Sequence, residues 1–569
     1  MRTWWALLVA LAGAVLLGIF ATTPPAPAGL DAPETAFSAA RAMVDDRVIG
    51  RAPHPTGSVD DARVRAYLVA RLRAAGLQAI TTSAPMGPAA AKRLDEWRGA
   101  AAPPPALTNI LAVLPGRDRT LPAVLLMAHH DSVWGSPGAA DDGAGVASVL
   151  ETVRAVRASG QRPRDLMVLF TDGEELGLEG AQAFFTSDPR RGHVGVIINL
   201  ETRGGGGRAS MFETGAGNGA MMRLFETAVA RPVGTSLSVF IYQHLPNSTD
   251  YTVAQKLGYP GFNFAFIGRP GLYHSPLATP DMLDQGAVQD MGRQVLDLTR
   301  ALLAAPGVPV KAPDRVFFDA FGLFLIAYPA WLGWLLLAVS ASGYVAALRR
   351  KQRSSGEIWR GASIAVAIIV LSAVLLFAGN IVSGAGGKVN YYDRLAAIPR
   401  LEWQELLLCL ATMALVWAWM MPARRVEAGT AVGLALPLLL LAGVAQFAAP
   451  TAAFPITTPL LLGGIAAAIG RLGNTRGGMF ANMIVAMIGT GYMISLGFFL
   501  LQGVGPDTPM VVALPLALSA LLVAPLIPPI SRSLALKAAA VLIAVGVAIA
   551  LWVRLDAVAP SVAVYSSFK

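Results

Sequence analysis

The feature that most limits how this chain can fold is a series of long, nearly uncharged apolar stretches that begins near residue 316. Each stretch is about 20 residues long, which is the length that an α-helix needs to cross the hydrocarbon core of a bilayer. The N-terminus carries a similar stretch, WWALLVALAGAVLLGIF. With 54% hydrophobic and only 14% charged residues among 569, the chain is too apolar for a soluble protein of its size.

The distribution of these stretches predicts three regions. Residues 1–23 form an N-terminal transmembrane anchor or a signal peptide, since small residues follow in ATTPPAPAGL. Residues 24–315 form a soluble domain, and residues 316–569 form an all-α transmembrane domain of about eight helices. We expect these spans at 317–345, 361–383, 403–421, 428–449, 454–470, 479–502, 509–529 and 535–553.

Alternate loops between these spans carry the positive charge, which predicts the orientation of the chain in the membrane. The basic loops contain RRKQR at 349–353, then Arg424 with Arg425, Arg471 with Arg476, and Arg532 with Lys537. By the positive-inside rule these loops are cytoplasmic. The loop 384–401, with three basic residues, is a partial exception. The soluble domain is therefore expected outside the cytoplasm, on the periplasmic or lumenal (vacuolar) side.

The charge and cysteine content exclude several other classes. The region from Val316 onward contains 16 Lys and Arg against 8 Asp and Glu, which leaves 29 and 28 before it, so the soluble domain is almost neutral. A nucleic-acid-binding surface is unsupported. In the membrane region, Glu402 and Glu405 lie at a predicted span end, which disfavours a transporter. The single cysteine, Cys409, rules out a disulfide framework.

The soluble domain alternates between predicted strands and predicted helices. The runs TNILAVLPG, PAVLLMAHHDS, DLMVLFTDGEE and HVGVIINLE are apolar and end in polar residues, as buried strands do. Helical spacing occurs between them, in GVASVLETVRAVRAS and LEGAQAFFTS, and last in DQGAVQDMGRQVLDLTRALLA. This alternation predicts an α/β domain with a mixed, mainly parallel central sheet flanked by helices. In such sheets the ligand site lies beyond the carboxyl ends of the strands.

Polar residues at two of these positions suit a metal site, although each also has an ordinary structural explanation. His129 and Asp131 end one strand as His-x-Asp, a spacing that lets the histidine bind a metal while the carboxylate orients it. His130 between them is expected on the opposite face, in a structural role. Asp141 lies in a glycine-rich turn before a helix, where an aspartate can also serve as an N-cap, as we expect for Asp142.

The adjacent Glu174 and Glu175 are harder to explain without a metal. Two carboxylates at the end of a buried strand repel each other unless a cation lies between them or one is protonated, although a solvated helix start also favours acidic residues. A divalent metal bound by Glu175 would leave Glu174 to take a proton from an activated water. Glu201 and His274 follow at later strand ends. Glu175, Glu201 and His274, together with His129 and Asp141, provide five ligands. One tetrahedral zinc site uses fewer, whereas two metals that share a bridging carboxylate would use all five.

The ordered set of motifs resembles the co-catalytic zinc aminopeptidase family, which includes leucyl aminopeptidases and glutamate carboxypeptidase. The shared pattern is His-x-Asp, a glycine-rich turn with Asp, Glu-Glu, Asn-x-Asp/Glu and a late Tyr-His, and it covers roughly residues 35–305. The layout of one N-terminal helix, a soluble domain and eight helices is similar to the membrane-bound branch of vacuolar membrane proteases and endoplasmic-reticulum metallopeptidases.

This resemblance implies a role for each residue. It implies two Zn²⁺ ions, one held by His129, Asp141 and Glu201 and the other by Asp141, Glu175 and His274. It further implies that Asp131 orients His129 and that Glu174 is the general base. From its position next to His274, Tyr273 is expected to help stabilise the oxyanion. Many relatives carry Asp at the position of Glu201, whose longer side chain still offers an oxygen. We expect His54, His193 and His244 to have loop or surface roles.

The expected function is that of a membrane-anchored metallo-exopeptidase, an aminopeptidase, which hydrolyses peptide substrates outside the cytoplasm. Its expected partners are peptides and the lipid bilayer, and no nucleic acid. Two alternatives remain open at this stage. One is a single-zinc enzyme similar to glutaminyl cyclase, and the other is a catalytically dead scaffold or receptor of the same fold.

Overall fold

A computed structural model describes residues 2–348, 355–387, 391–420, 428–471 and 475–558. The chain divides into two compact units. One, the soluble unit, comprises Thr23–Ala327. The other, the membrane unit, comprises the N-terminal helix and Tyr328–Val558. The three-region division predicted from the sequence stays a prediction, and the boundary between the two compact units falls slightly later than residue 315.

The soluble unit is built on a seven-stranded sheet within the described residues, with the order β1-β2-β4-β3-β5-β7-β6. Strands β4, β3, β5 and β7 run parallel to one another, whereas β1, β2 and β6 pair antiparallel at the two sides. The mixed, mainly parallel sheet predicted from the sequence is thus confirmed. The strands are β1 Gln78–Ala84, β2 Leu107–Leu114, β3 Ala123–His129, β4 Leu166–Thr171, β5 Val194–Thr202, β6 Gly206–Thr214 and β7 Gly261–Gly268.

Helices cover both faces of this sheet. The N-terminal helix α1 spans Arg2–Thr22 and belongs to the membrane unit. The helices of the soluble unit are α2 Ala39–Ile49, α3 Val59–Ala74, α4 Pro88–Arg98, α5 Gly145–Ala158, α6 Glu179–Ser187, α7 Gly219–Ala228, α8 Ser236–His244, α9 Asp250–Lys256 and α10 Gln285–Ala304. The helices predicted after β3, after β4 and at the end of the domain correspond to α5, α6 and α10.

The central strands are apolar along their whole length because both of their faces are buried. In β3, the side chains of Val124 and Leu126 join one apolar cluster, which also contains residues of α2, α3, α5 and α10. Leu125 and Met127 point to the other face and join Phe184 of α6 in a second cluster. This double burial fixes the carboxyl ends of the strands in place, and the polar residues that follow them are held with them.

A β-hairpin replaces the beginning of the first predicted span of the transmembrane domain. Arg315–Asp319 form β8 and Leu325–Pro329 form β9, and the helix begins only at Leu332. Phe317 and Leu325 are buried in the apolar core of the soluble unit. The prediction of a span over 317–345 is therefore wrong in its first part, because hydropathy does not distinguish an apolar side chain buried in a protein core, such as Phe317, from one in a membrane helix.

The membrane unit is helical. Its helices after α1 are α11 Leu332–Leu348, α12 Ser355–Val382, α13 Tyr391–Ala396, α14 Ile398–Met420, α15 Ala428–Ala448, α16 Phe454–Arg471, α17 Thr475–Val504, α18 Ala513–Val523 and α19 Arg532–Leu555. Among the described residues, seven helical segments are long and apolar enough to cross a membrane. Leu332–Leu348 and Phe454–Ile469, where two further spans were predicted, are shorter apolar helices. The protein is a multi-pass membrane protein.

Glycines allow close crossings between these helices. A Cβ atom on Gly343 of α11 would overlap the carbonyl oxygen of Gly464 in α16, and one on Gly361 of α12 would overlap that of Thr430 in α15. Small residues at helix crossings are typical of membrane proteins, where van der Waals packing rather than hydrophobicity drives association.

Arg394 is the most buried charged side chain in the described part of the membrane unit. Its guanidinium donates to the carbonyl oxygens of Ser383 and Pro506 at 2.9 and 2.8 Å and to Asn380 Oδ1 at 2.5 Å. Glu402 and Glu405 lie in the second turn of α14, near a helix end as expected. The basic loop 349–353 and the pair at 424–425, on which the predicted orientation partly rests, lie outside the described residues.

Candidate metal centre

The residues predicted to form the site come from the carboxyl ends of the strands. His129 is the last residue of β3, and Glu201 is the last but one of β5. The turn after β4 carries Glu174 and Glu175, the turn Ala139–Ala144 between β3 and α5 carries Asp141, and the loop after β7 carries His274. Parallel strands end at one edge of the sheet, so residues far apart in sequence meet there.

The first group consists of His129, Asp141 and Glu201. Nε2 of His129 lies 3.2 Å from Oδ1 of Asp141 and 3.8 Å from Oε2 of Glu201. One ligand atom from each residue lies within 4.8 Å of those from the other two. The histidine is buried, and Nδ1 on the other side of its ring lies 3.0 Å from the backbone oxygen of Asp131. With that nitrogen protonated, Nε2 has a free lone pair that faces the two carboxylates.

The second group consists of Asp141, Glu175 and His274, and it uses the other oxygen of the same aspartate. Nε2 of His274 lies 3.1 Å from Oδ2 of Asp141 and 3.1 Å from Oε1 of Glu175. The backbone of His274 is left-handed, with φ +54°, and its ring stacks on Tyr273 with centroids 3.5 Å apart. Asp141 thus presents one oxygen to each histidine, which is the arrangement of a carboxylate that bridges two metal ions.

The turn that carries Asp141 depends on glycine. Gly138 has φ +63°, and a Cβ atom there would lie 2.8 Å from the carbonyl oxygen of Asp141. Such a conformation and such a close approach both favour glycine. Oδ1 of Asp142 accepts a hydrogen bond from the backbone N–H of Gly145 at 3.0 Å, at the start of α5, so Asp142 caps this turn while Asp141 faces the histidines.

The carboxylate of Asp131 acts mainly on the glutamate pair. Its Oδ1 accepts the backbone N–H of Glu174 at 3.1 Å, and its Oδ2 accepts that of Glu175 at 3.3 Å. The hydroxyl of Thr56 also donates to Oδ2 at 3.4 Å. Oδ1 lies 3.6 Å from Nδ1 of His129, farther than the backbone oxygen of the same residue. Asp131 therefore holds the turn of both glutamates against the end of β3, and its main chain orients the histidine.

At this edge of the sheet, buried carboxyl groups outnumber the two histidines beside them. Burial raises the pKa of Glu174 and of Glu201 well above the usual range; the negative charge of Glu175 further raises the pKa of Glu174, and that of Glu174 further raises the pKa of Glu201. Burial also raises the pKa of Glu175, with His274 acting against it. Burial alone would raise the pKa of Asp141 as well, but hydrogen bonds with both histidines outweigh it and lower the pKa to about 2.

These carboxylates and imidazoles fit a metal centre. Buried carboxylates that repel one another become stable as anions when a divalent cation lies among them. Imidazole nitrogen and carboxylate oxygen are ligands that zinc accepts. Each of the two groups supplies one histidine and two carboxylates, with Asp141 in common. The predicted ligands are therefore brought together, and their assignment to particular ions stays a prediction.

The other histidines differ in their surroundings. His54 lies in a loop as expected but is buried rather than on the surface, and its backbone N–H donates to Ser132 Oγ at 2.9 Å. His193 is half-buried with Nε2 3.2 Å from Asp165 Oδ2, and His244 is exposed. His54 therefore has the expected loop position, within a loop that is buried.

Two further buried residues next to the site were not identified by the sequence motifs. The hydroxyl of Thr171, the last residue of β4, donates to Oδ2 of Asp250 at the start of α9. Burial raises the pKa of Asp250 to about 6, and the negative charge of Asp250 raises the pKa of Glu174. A threonine at a strand end and an aspartate at a helix start are ordinary in a sequence, and only their meeting in space marks them.

Comparison with known proteins agrees with this site. Residues 109–299 match the family model described as Peptidase family M28, which confirms the resemblance seen in the motifs. Endoplasmic reticulum metallopeptidase 1 of Homo sapiens is 31% identical over 253 residues, which is 43% of this chain and 28% of the relative. The vacuolar membrane protease of Eremothecium gossypii is 30% identical over 301 residues, which is 51% of this chain and 30% of the relative.

The matches therefore span less than a third of the length of these relatives. A solved aminopeptidase from Aneurinibacillus sp. strain AM-1 aligns with 49% of this chain and 98% of its own, at 16% identity and a TM-score of 0.38. The family match and the chemistry of the ligands support a zinc metallopeptidase.

Proposed function

We propose that this protein is a membrane-anchored di-zinc metallo-exopeptidase that acts as an aminopeptidase. The observation that carries the proposal is the position of Asp141, whose two oxygens face two different histidines at 3.2 and 3.1 Å. Each histidine has a further carboxylate beside it, Glu201 for His129 and Glu175 for His274. One ion could not use both sets with tetrahedral geometry, whereas two ions that share Asp141 use all five side chains.

When bound, the two zinc ions would polarise the scissile carbonyl and lower the pKa of the attacking water. Glu174 is the proposed general base. It accepts a proton from the water as the new C–O bond forms, and it delivers that proton to the amine nitrogen as the C–N bond breaks. Its backbone is held by Asp131, and its carboxylate has one ligand atom within 4.8 Å of those of His129 and Glu175.

The same proposal covers location and substrate. The basic loops predicted from the sequence favour a soluble domain outside the cytoplasm, on the periplasmic or lumenal side, where it would act on peptides. The names of the two relatives, a reticulum metallopeptidase and a vacuolar membrane protease, support a membrane-bound peptidase of this kind.

A pair of variants tests the proposal on the full chain in detergent. Glu174→Gln should keep the zinc content of the wild type and lose about 10²- to 10⁴-fold in hydrolysis of an aminoacyl amide, because general-base catalysis is worth roughly that much. Glu179→Gln is the matched control, since this glutamate, five residues on, accepts the N–H of Gly87 at 2.8 Å and lies outside the ligand groups. Its activity should stay close to that of the wild type.

Three outcomes would contradict the proposal. Wild-type protein without zinc would favour a dead scaffold of this fold. One zinc ion per chain, with cyclisation of an N-terminal glutaminyl peptide, would favour a glutaminyl cyclase-like enzyme. Equal hydrolysis of peptides with free and with acetylated N-termini would exclude an aminopeptidase.

A further inference from the structure

A second group of potential ligands lies beside the centre described above. It consists of Asp61 in the first turn of α3, His130 directly after β3 and Asp172 directly after β4. One ligand atom from each lies within 4.8 Å of those from the other two, and all three residues are at most 1% exposed. We call it the Asp61–His130–Asp172 cluster. It shares no residue with the groups around Asp141.

Each member of this cluster has one buried polar atom without a hydrogen-bond partner among the described residues. These atoms are Oδ1 of Asp61, Nδ1 of His130 and Oδ1 of Asp172. The first two lie 3.2 Å apart, at ion-pair distance, which a shared proton or a shared cation would satisfy, whereas Oδ1 of Asp172 has no hydrogen-bond partner among the described residues. A buried polar atom without a partner costs about 1–3 kcal/mol, so a cluster that contains such an atom favours a bound ligand.

The remaining polar atoms of the same side chains are all held by neighbours. Oδ2 of Asp61 accepts the N–H of Gly57 at 2.9 Å and pairs with Arg65. Oδ2 of Asp172 accepts the backbone N–H of Thr108 at 2.7 Å. Nε2 of His130 lies 3.0 Å from the backbone oxygen of Thr108, which requires the proton on that nitrogen. His130 bonded in this way keeps a lone pair on Nδ1, as metal-binding histidines do.

We propose that the Asp61–His130–Asp172 cluster binds a divalent cation, zinc by its chemistry, separate from the centre around Asp141. Bonds of about 2.0–2.1 Å at tetrahedral angles place ligand atoms roughly 3.3 Å apart, close to the separation between His130 and Asp61. One imidazole nitrogen and two carboxylate oxygens are a ligand set that zinc uses. The neighbours that hold the other atoms are the outer contacts that orient ligands in such sites.

The position of the cluster indicates a structural role for this cation. His130 precedes Asp131, which holds the backbone of Glu174 and Glu175, and Asp172 precedes the same turn. A cation here would tie α3 to the ends of β3 and β4, which carry ligands of the proposed catalytic centre. The rival explanation is an ion pair between a protonated His130 and Asp61 with no metal.

Zinc K-edge anomalous diffraction from crystals of the wild-type full chain grown with Zn²⁺ tests this inference directly. An anomalous peak between the side chains of Asp61, His130 and Asp172 is expected. Its absence overturns the inference whatever is seen around Asp141, and a peak here without one at Asp141 would instead refute the proposed function.

Zinc content measured by mass spectrometry gives a second test. His130→Asn should hold about one equivalent less than the wild type, because the imidazole nitrogen is lost. His193→Asn is the matched control, because His193 also lies 3.2 Å from an aspartate oxygen, that of Asp165, but belongs to no group of three ligands among the described residues. Equal zinc content in the wild type, the control and His130→Asn would favour the metal-free ion pair of His130 and Asp61. If His130→Asn does not fold, the anomalous diffraction from wild-type crystals decides between the two explanations.

Discussion

Replacing Asp131 by asparagine should show how the turn of the two glutamates is held. The two oxygens of Asp131 accept one backbone N–H each, from Glu174 at 3.1 Å and from Glu175 at 3.3 Å. An asparagine of the same shape has a single oxygen, so one of these N–H groups would face an NH₂ donor. A buried donor that loses its acceptor costs about 1–3 kcal/mol, and the loss of the charge weakens the bond that remains.

This cost should appear both in stability and in catalysis. We expect Asp131→Asn to lower the free energy of unfolding by about 1–3 kcal/mol. If the displaced turn misplaces Glu174 in the transition state, the same energy corresponds to a loss of about 5- to 150-fold in kcat/KM. The assays are denaturant unfolding of the full chain in detergent, hydrolysis of an aminoacyl amide, and zinc content.

Asp165→Asn is the matched control. Asp165 is also a buried aspartate, accepts the backbone N–H of Gly116 at 2.7 Å and contacts a histidine, but it precedes β4 at the opposite end of the sheet. It should lose stability without loss of kcat/KM or zinc. The reasoning would be refuted if Asp131→Asn kept wild-type stability and activity. It would also be refuted if zinc alone were lost, since Asp131 would then act through His129.

Two more predictions concern other parts of the molecule. Burial lowers the pKa of His54 to about 4, below the unfolded value of about 6.5, so the unfolded state binds more protons between these values. Stability should therefore fall by about 3 kcal/mol as the pH drops from 6.5 to 4, and His54→Gln should lose this part of the pH dependence in thermal unfolding scans. Gly343→Leu should separate α11 from α16 and lower the melting temperature in detergent, because its side chain would overlap the backbone of Gly464; overpacking costs about 1–3 kcal/mol.

The predictions for His54→Gln and Gly343→Leu each have a control variant in the same unit of the protein. His244→Gln replaces an exposed histidine and should leave the pH dependence of unfolding unchanged. If His54→Gln titrates like the wild type, burial of the imidazole is not the cause. Gly443→Leu in α15 places its side chain where no atom lies within 4 Å of the new Cβ. Equal melting temperatures for the two glycine variants would show that the crossing of α11 and α16 is not tight.

The sequence predicts those parts of the fold whose cause is local. Four strands, β2 to β5, are recognisable because their apolar runs are buried on both faces and end in polar residues. The strands β1, β6 and β7 were not predicted: β1 and β6 lie at the edges of the sheet and carry polar side chains among apolar ones, and the short apolar run of β7 is broken by Asn263. The hairpin of β8 and β9 was mistaken for a membrane helix, because hydropathy measures how readily a side chain leaves water and does not tell burial in a protein core from burial in lipid.

In the candidate site, too, some residues were predicted from the sequence and others were found only in the structure. Motif order alone predicted five ligands and Glu174, because they lie at strand ends or in the turns and loops that follow, and the structure brings these side chains together; their roles stay a prediction. The pairing of Thr171 with Asp250 was not predictable, and the ligand group around His130 was not either, because His130 contacts α3 while its neighbour His129 faces the centre.

By itself, therefore, the sequence determined which residues lie at the ends of buried strands and which stretches are apolar enough for a membrane, because both follow from the short-range pattern of apolar and polar side chains. Only the tertiary structure decided that Asp141 turns one oxygen to each histidine, that Asp131 holds the turn of the glutamates, and that Asp61 reaches His130. These contacts join residues from different strands and helices, and their distances depend on how the helices pack on the sheet, which no local pattern records.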